Sequence, residues 1–488
     1  MKKKRQFNKA WIVILFMLFL TSCATYNQKL NAYYTSIEGN NYVEAANLLD
    51  KNKFLKRDRN QLLFYLEKGK INHLLGQYDS SNVYFNLADA YLESERTNMG
   101  DFFTGNLLNP MQQKYLGEYH ERFLIHYYKA LNYTYLNQKE NARVEARRIT
   151  LTTDAVDDKV NSSKKYQQDA FSYIVQGLIY ESNGEINNAF TSYRNAADLY
   201  LNHKGAYYGV QIPQQLKLDL LHTAKSMGFT EQFNFYQTSF NIKEDSLKQD
   251  TLGGGELVIF FEYGMGPVKQ EQNFSVIQNG TGSSEFYFAN SNGVRENFRL
   301  PGNRGVDVSN LQGFSSMRIA LPYYQERNSL NPFSLAVVNG QKYQASLVQN
   351  INIIANEILK ERLVREITNA LIRQLSKKAV EKGVAAVTKS VAENKSNKDN
   401  TKSESNKQKD KNKAEAVGAA AGLLLNIVNS VTEKADTRNW QSLPAFIQYV
   451  RLPLVKGINE LTLYAGTAKK TITVNGNGTL QLMNWITK

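Results

Sequence analysis

Residues 173–197 read YIVQGLIYESNGEINNAFTSYRNAA. Two helices meeting at Gly184 account for this stretch: Tyr173, Gly177, Gly184, Ala189, Tyr193 and Ala196 stand at offsets 0, 4, 11, 16, 20 and 23. Each residue type has a physical reason. A small residue at Gly177 lets the first helix approach the second, and Tyr193 fills the gap to the neighbouring helix. Gly184 supplies a turn in which left-handed backbone carries no Cβ penalty. The same offsets hold Tyr65, Gly69, Gly76, Ser81, Phe85 and Ala88. A weaker copy holds His126, Ala130, Asn137, Ala142 and Ala146, with Ile149 where a small residue is wanted. A fourth turn falls at Gly39-Asn40-Asn41, with Ala45 and Ala46 behind it.

This pattern resembles the tetratricopeptide repeat (TPR), a helix–turn–helix unit of about 34 residues. The resemblance implies a TPR-like α-solenoid over residues 23–240. The spacing departs from a regular array, because Gly69 and Ala130 are 61 residues apart and Ala130 and Gly177 are 47 apart. Insertions are therefore expected near 96–117 and near 150–166. Long loops in compact domains are often functional, and Phe102, Phe103, Leu107 and Leu108 are apolar enough to cover a groove. Simple loop packing is the expected reading, with the covered groove as its alternative. Residues 201–240 are expected to continue as helix and cap the array, with "QQLKLDLLHTAKSMGF" stopping at Gly228.

Residues 241–255, "NIKEDSLKQDTLGGG", are polar, end in three glycines and predict a linker. From Glu256 the periodicity becomes extended: "ELVIFFEY", "EFYFAN", "SMRIALPYY", "FSLAVV" and "QKYQASLV" read as strands. "GMGPVK" reads as a turn, and Asn339-Gly340 as a hairpin turn whose two residues both tolerate positive φ. Four more runs, "FIQYVRLPL", "NELTLYAG", "KKTITVNG" and "TLQLMNWIT", follow a helical interruption. The expected fold is thus a multidomain α-then-β chain. Its all-β, sandwich-like module is discontinuous (256–349 and 439–488) and interrupted by a helical hairpin at 350–438. Leu359, Leu363, Ile367, Leu371 and Leu375 recur at four-residue steps on the first hairpin helix. Residues 389–414 form its charged, low-complexity tip.

The start of the chain speaks to location. Lys2, Lys3, Lys4, Arg5 and Lys9 precede an apolar run from Trp11 to Leu20, then Leu20-Thr21-Ser22-Cys23, and Cys23 is the chain's single cysteine. The apolar run is too short to span a bilayer, which takes about 20 residues, but suits an export signal. It resembles a lipobox. That resemblance implies a signal peptide over 1–22, acylation of Cys23 and anchorage to the lipid bilayer; acyl chains contribute about 0.8 kcal/mol per buried methylene. Ala24 and Thr25 lack the aspartate that favours inner-membrane retention, so the expected address is the outer membrane, periplasmic face. The leader holds five cations and no acids, so its loss would take the formal charge from +14 to +9. Export argues against nucleic acid as the acidic partner.

With "RFLIHYYKALNY…ARVEARR", "GELVIFFEYGMGPVKQE" and "DTRNWQSLPAFIQYVRLPL" added to the repeat segments, the chain resembles an uncharacterised family of bacterial TPR-like lipoproteins. That resemblance implies no catalytic residues and no cofactor. Five histidines lack metal-ligand spacing, and no nucleophile elbow, Walker A or dinucleotide motif occurs. The expected function is a protein-interaction scaffold for an envelope protein or peptide held in a groove rich in Tyr and Asn. The alternatives are a glycan- or peptidoglycan-modifying enzyme acting at the helix–β junction, whose carboxylate pair one sequence would not reveal, and a membrane-binding accessory protein.

Overall fold

A computed structural model describes residues 25–97, 110–157, 166, 168–243, 252–278, 285–290, 295–299, 317–327, 333–363, 366, 367, 370 and 434–487. Cys23, the leader, the core of each long insertion, the charged tip and the second hairpin helix fall outside these residues. The coarse order expected from sequence is observed: helices first, then sheets.

The helices come as antiparallel pairs: α1 (Tyr26–Glu38) with α2 (Tyr42–Lys51), α3 (Gln61–Leu74) with α4 (Tyr78–Thr97), α5 (Tyr119–Tyr135) with α6 (Lys139–Asp157), and α7 (Ala170–Ser182) with α8 (Ile186–Asn202). Between partners the chain reverses through one left-handed residue: Asn40 (φ 59°), Gly76 (71°), Asn137 (55°) and Gly184 (78°). Within pairs the close approach is real. A Cβ on Gly69 would lie 2.5 Å from the Phe85 ring, and one on Gly177 would lie 2.3 Å from Tyr193. Ala88, Ala130, Ala142, Ala189 and Ala196 are buried as expected, as is Tyr173, while Tyr65 is only half-buried. Ile149 is buried too, so its bulk is accommodated. Starts are capped locally. Thr25 and Gln28 form a reciprocal box at α1, Glu118 and Glu121 do so at α5, and Asp169 accepts from Phe171 N at α7.

Residues 201–240 are not continuous helix. A small hairpin, β1 (Ala206–Tyr207) with β2 (Val210–Gln211), separates α8 from α9 (Gln214–Ser226) and α10 (Thr230–Phe240). Lys204, Gly205, Tyr208 and Gly209 all take positive φ, which no helix can carry. Gly228 is left-handed after α9, as a helix stop requires.

The sheet region holds β3 (Gly253–Tyr263), β4 (Val268–Gln278), β5 (Glu285–Asn290), β6 (Arg295–Arg299), β7 (Met317–Gln325), β8 (Ser334–Val338), β9 (Gln341–Gln344) and β10 (Ser346–Asn350). After the interruption come β11 (Phe446–Val455), β12 (Gly457–Ala465), β13 (Ala468–Gly476) and β14 (Thr479–Thr487). They form three four-stranded sheets, ordered β10-β11-β3-β14, β13-β12-β8-β9 and β6-β5-β4-β7. The first two pack on each other through Leu257, Ile259, Phe261, Val450, Leu452, Leu454, Leu461 and Leu463. In the third sheet β5 and β7 match the expected runs "EFYFAN" and "SMRIALPYY", but β4 and β6 were not legible; "VKQEQNFSVIQ" of β4 mixes polar and apolar residues without clean alternation. Asn339 and Gly340 both take positive φ between β8 and β9. The run "QKYQASLV" divides at Ala345 into strands of two different sheets.

Two findings alter the expected domain picture. Residues 351–363 are helical, but 434–438, placed within the hairpin by the sequence reading, are non-helical, and Ala435, Thr437 and Arg438 among them are buried. The segment is held by distant groups: Ala435 N donates to Glu271 Oε2, and Arg438 donates to the carbonyls of Arg59, Pro110 and Gln113. The sequence boundary near 241–255 is also no boundary in space. One apolar core runs from Tyr127 and Phe171 of the helices to Phe260, Tyr449 and Trp440, with Tyr127 and Phe260 ring centroids 5.5 Å apart.

Candidate functional site

Strand periodicity decides what the helices meet. On β3, Leu257, Ile259 and Phe261 face the second sheet, so Val258, Phe260 and Glu262 face the helices. Glu262 is fully buried there. Its Oε1 accepts from Tyr127 OH at 2.9 Å and Asn484 Nδ2 at 2.6 Å. Its Oε2 accepts from Tyr128 OH at 2.7 Å and Lys70 Nζ at 2.9 Å. Burial alone would raise this carboxyl, but Lys70, His73 and these hydrogen bonds hold it below the usual carboxylate range. Burial pulls Lys70 down, with Glu262 opposing. His73 is lowered to about 4 by burial and by Lys70. It is neutral at pH 7, and one tautomer fits: Nδ1–H donates to Asn132 Oδ1 at 2.6 Å and Nε2 accepts from Asn484 Nδ2 at 3.0 Å.

Three further buried centres flank this one. Glu67 accepts from Tyr33 and Tyr34, each at 2.8 Å, and from Ser442; burial raises its pKa against those bonds. Glu121 accepts from Tyr115 OH and Trp440 N, both at 2.7 Å, and burial with the neighbouring Glu118 pushes it up to about 7. Glu118 itself is pinned by Lys269 at 2.7 Å and Arg362 at 2.8 Å, which outweigh burial and hold it well below the usual range. Toward the far end of the layer, Arg451 of β11 meets Glu181, Asp219 and Glu256. Burial and the surplus of carboxylates raise Asp219 to about 7 even against Arg451.

The segment 434–445 lies against the helices like a bound peptide of the chain's own. Arg438 is fully buried and donates to Arg59 O, Asn60 Oδ1, Gln113 O and Pro110 O at 2.9–3.0 Å. Tyr26 OH donates to Asn439 O at 3.0 Å, and Gln441 donates to Asn27 at 2.8 Å. The Tyr- and Asn-rich helical face read as a peptide groove is therefore filled by β3, β14 and this segment. The carboxylates gathered at the junction are all engaged in hydrogen bonds.

A cleft of about 240 Å³ lies at this junction, lined among others by Ile37, Leu74, Met265, Lys70, Arg327 and Thr487. Lys70 and Glu262 stand at its wall, and Arg327 pairs with Glu38, which also lines it.

The sequence-predicted packing residues Gly69, Gly76, Phe85, Gly177, Gly184 and Tyr193 act within the helix pairs, not in this cleft. Residues 110–117 of the first insertion are described; Pro110 and Gln113 carbonyls hold Arg438, and Tyr115 binds Glu121. Among the described residues no group of His, Cys, Asp and Glu could hold a metal, and no helix is long and apolar enough to cross a membrane. Glu67, Glu262, Arg438 and Trp440 escaped the sequence reading. The available signal was an acid closing the otherwise apolar run "LVIFFE" and an acid inside "FYLEKGKIN".

No protein-family model and no curated protein matches the chain. Among solved structures it is similar to BtubC (BKLC) from P. vanneervenii, with 14% identity, 46% of this chain and 81% of that one covered, and a TM-score of 0.26.

Proposed function

We propose that this chain is a lipoprotein of the bacterial envelope, anchored through acylated Cys23 at the periplasmic face of the outer membrane. In this reading its helices are a TPR-like solenoid and it works as a protein-interaction scaffold, in the manner of the lipoprotein family it resembles. The leader up to Cys23 supports the anchor. The paired helices, with Phe85 over Gly69 and Tyr193 over Gly177, support the repeat reading.

The observation that carries the scaffold reading is a repeated exposed position. Val83 and Val144 each stand seven residues after a turn residue, Gly76 and Asn137. They are 57% and 48% exposed on the second helices of successive pairs. Since the inner face is filled by the chain itself, partners engage this outer face. Isolated exposed apolar residues are ordinary; here two successive pairs share the valine, while Asn47 and Thr191 stand at the same position of the first and fourth pairs.

The test is capture from native membranes. The wild-type chain recovers a defined envelope protein, and Val83→Arg with Val144→Arg loses it. Equal recovery by both would remove the outer face as the docking surface. Mass spectrometry of the natural product checks the anchor separately: an unmodified thiol with residues 1–22 attached would end that part.

A further inference from the structure

We propose that the junction cleft binds a small molecule carrying a carboxylate on a short apolar body. Its volume of about 240 Å³ lies below the ~300–1,000 Å³ of sites for drug-sized ligands, so the occupant is small. Ile37, Leu74 and Met265 supply apolar wall.

The polar groups there are unevenly spent. Glu262 is used up as an acceptor, since each of its oxygens already takes two hydrogen bonds. Donors are not. Lys70 Nζ has three N–H groups and gives one to Tyr128 and one to Glu262. Arg327 Nε and Thr487 Oγ1 are buried without a hydrogen-bond partner, and both residues line the cleft. A buried donor left unmade is unfavourable by about 1–3 kcal/mol, and a ligand acceptor relieves that. Lys70 and Arg327 are each paired with a carboxylate, but their spare N–H groups belong to cations, and such donors bond an anionic acceptor more strongly than a neutral one. An ammonium ligand meets no free carboxylate at the floor. Glu38, half-exposed at the rim, is held by Arg327.

The test uses the full chain purified in detergent, with 13C-methyl methionine, following the Met265 signal while hexanoate, hexanamide and hexylamine are titrated. Hexanoate shifts the signal saturably, binds at least tenfold more tightly than hexanamide, and hexylamine gives no saturable shift. Leu74→Trp, which fills the cleft without touching the ion pair, abolishes the hexanoate response. Arg327→Met weakens it about tenfold while the other methionine signals stay in place. No saturable shift with hexanoate overturns the proposal, as does hexylamine binding equally well or a Leu74→Trp variant that still responds.

Discussion

The two faces of the β10-β11-β3-β14 sheet bury their side chains by different physics. The face toward the second sheet is built mainly from the apolar Leu257, Ile259, Phe261, Val450, Leu452 and Leu454, with buried Gln448 in line with them on β11. The face toward the helices alternates Phe260 and Tyr449 with Glu262 and Arg451, each in a network of directed bonds. Apolar burial is non-directional and scales with area, so the first face tolerates small slides. Hydrogen bonds to buried charges fix distance and angle, so the second face sets one docking position for helices that come from the other half of the chain. Stability and registration are thus divided between two surfaces of the same strands.

The comparison breaks most visibly at Glu262. Replacing it with Ala leaves Lys70 buried and unpaired, and urea unfolding should show a loss of about 3–5 kcal/mol. The double replacement Glu262→Met with Lys70→Met should recover much of that, because an apolar pair removes both charges; no recovery would mean the network contributes more than registration. On the opposite face, Val450→Thr inserts a hydroxyl into an apolar layer. The expected loss is about 1–3 kcal/mol, and a negligible loss would show that this face is wetter than its packing indicates. Ile259→Val removes one methylene group from the same layer and should lose about 0.5–1.5 kcal/mol by the same measurement.

A further prediction concerns pH. Glu121 is raised in the folded chain to about 7 from an ordinary 4.5, so between these values the native state binds more protons than the unfolded one. Its contribution therefore falls as pH rises from about 4.5 to about 7 and is level above that. Glu121→Gln lacks this term. The stability of the variant relative to wild type should move in the variant's favour over that window and then flatten. A difference that is constant with pH would place the Glu121 titration outside it.

Much of the local structure was readable. The turns at Gly76, Asn137 and Gly184, the close approaches at Gly69 and Gly177, the Asn339-Gly340 hairpin and the run "ELVIFFEY" each depend on residues within a few positions of one another. The hairpin at 206–211 was missed because tyrosines between two glycines carry no periodicity. Strand β4 was missed because its polar residues are covered by tertiary neighbours such as Glu118 on Lys269. The buried polar centres were legible only as oddities, an acid in an apolar run, with nothing to name their partners.

The sequence by itself determined the helix pairs, their turns and the change from helical to extended periodicity at Glu256, because those follow from short-range sterics and side-chain spacing. Only the tertiary structure decided what covers the inner face of the helices. Trp440 reaches Glu121 across 319 residues and Asn484 reaches His73 across 411. A contact of that span depends on how two independently patterned surfaces fit, and no local pattern encodes the fit of two surfaces.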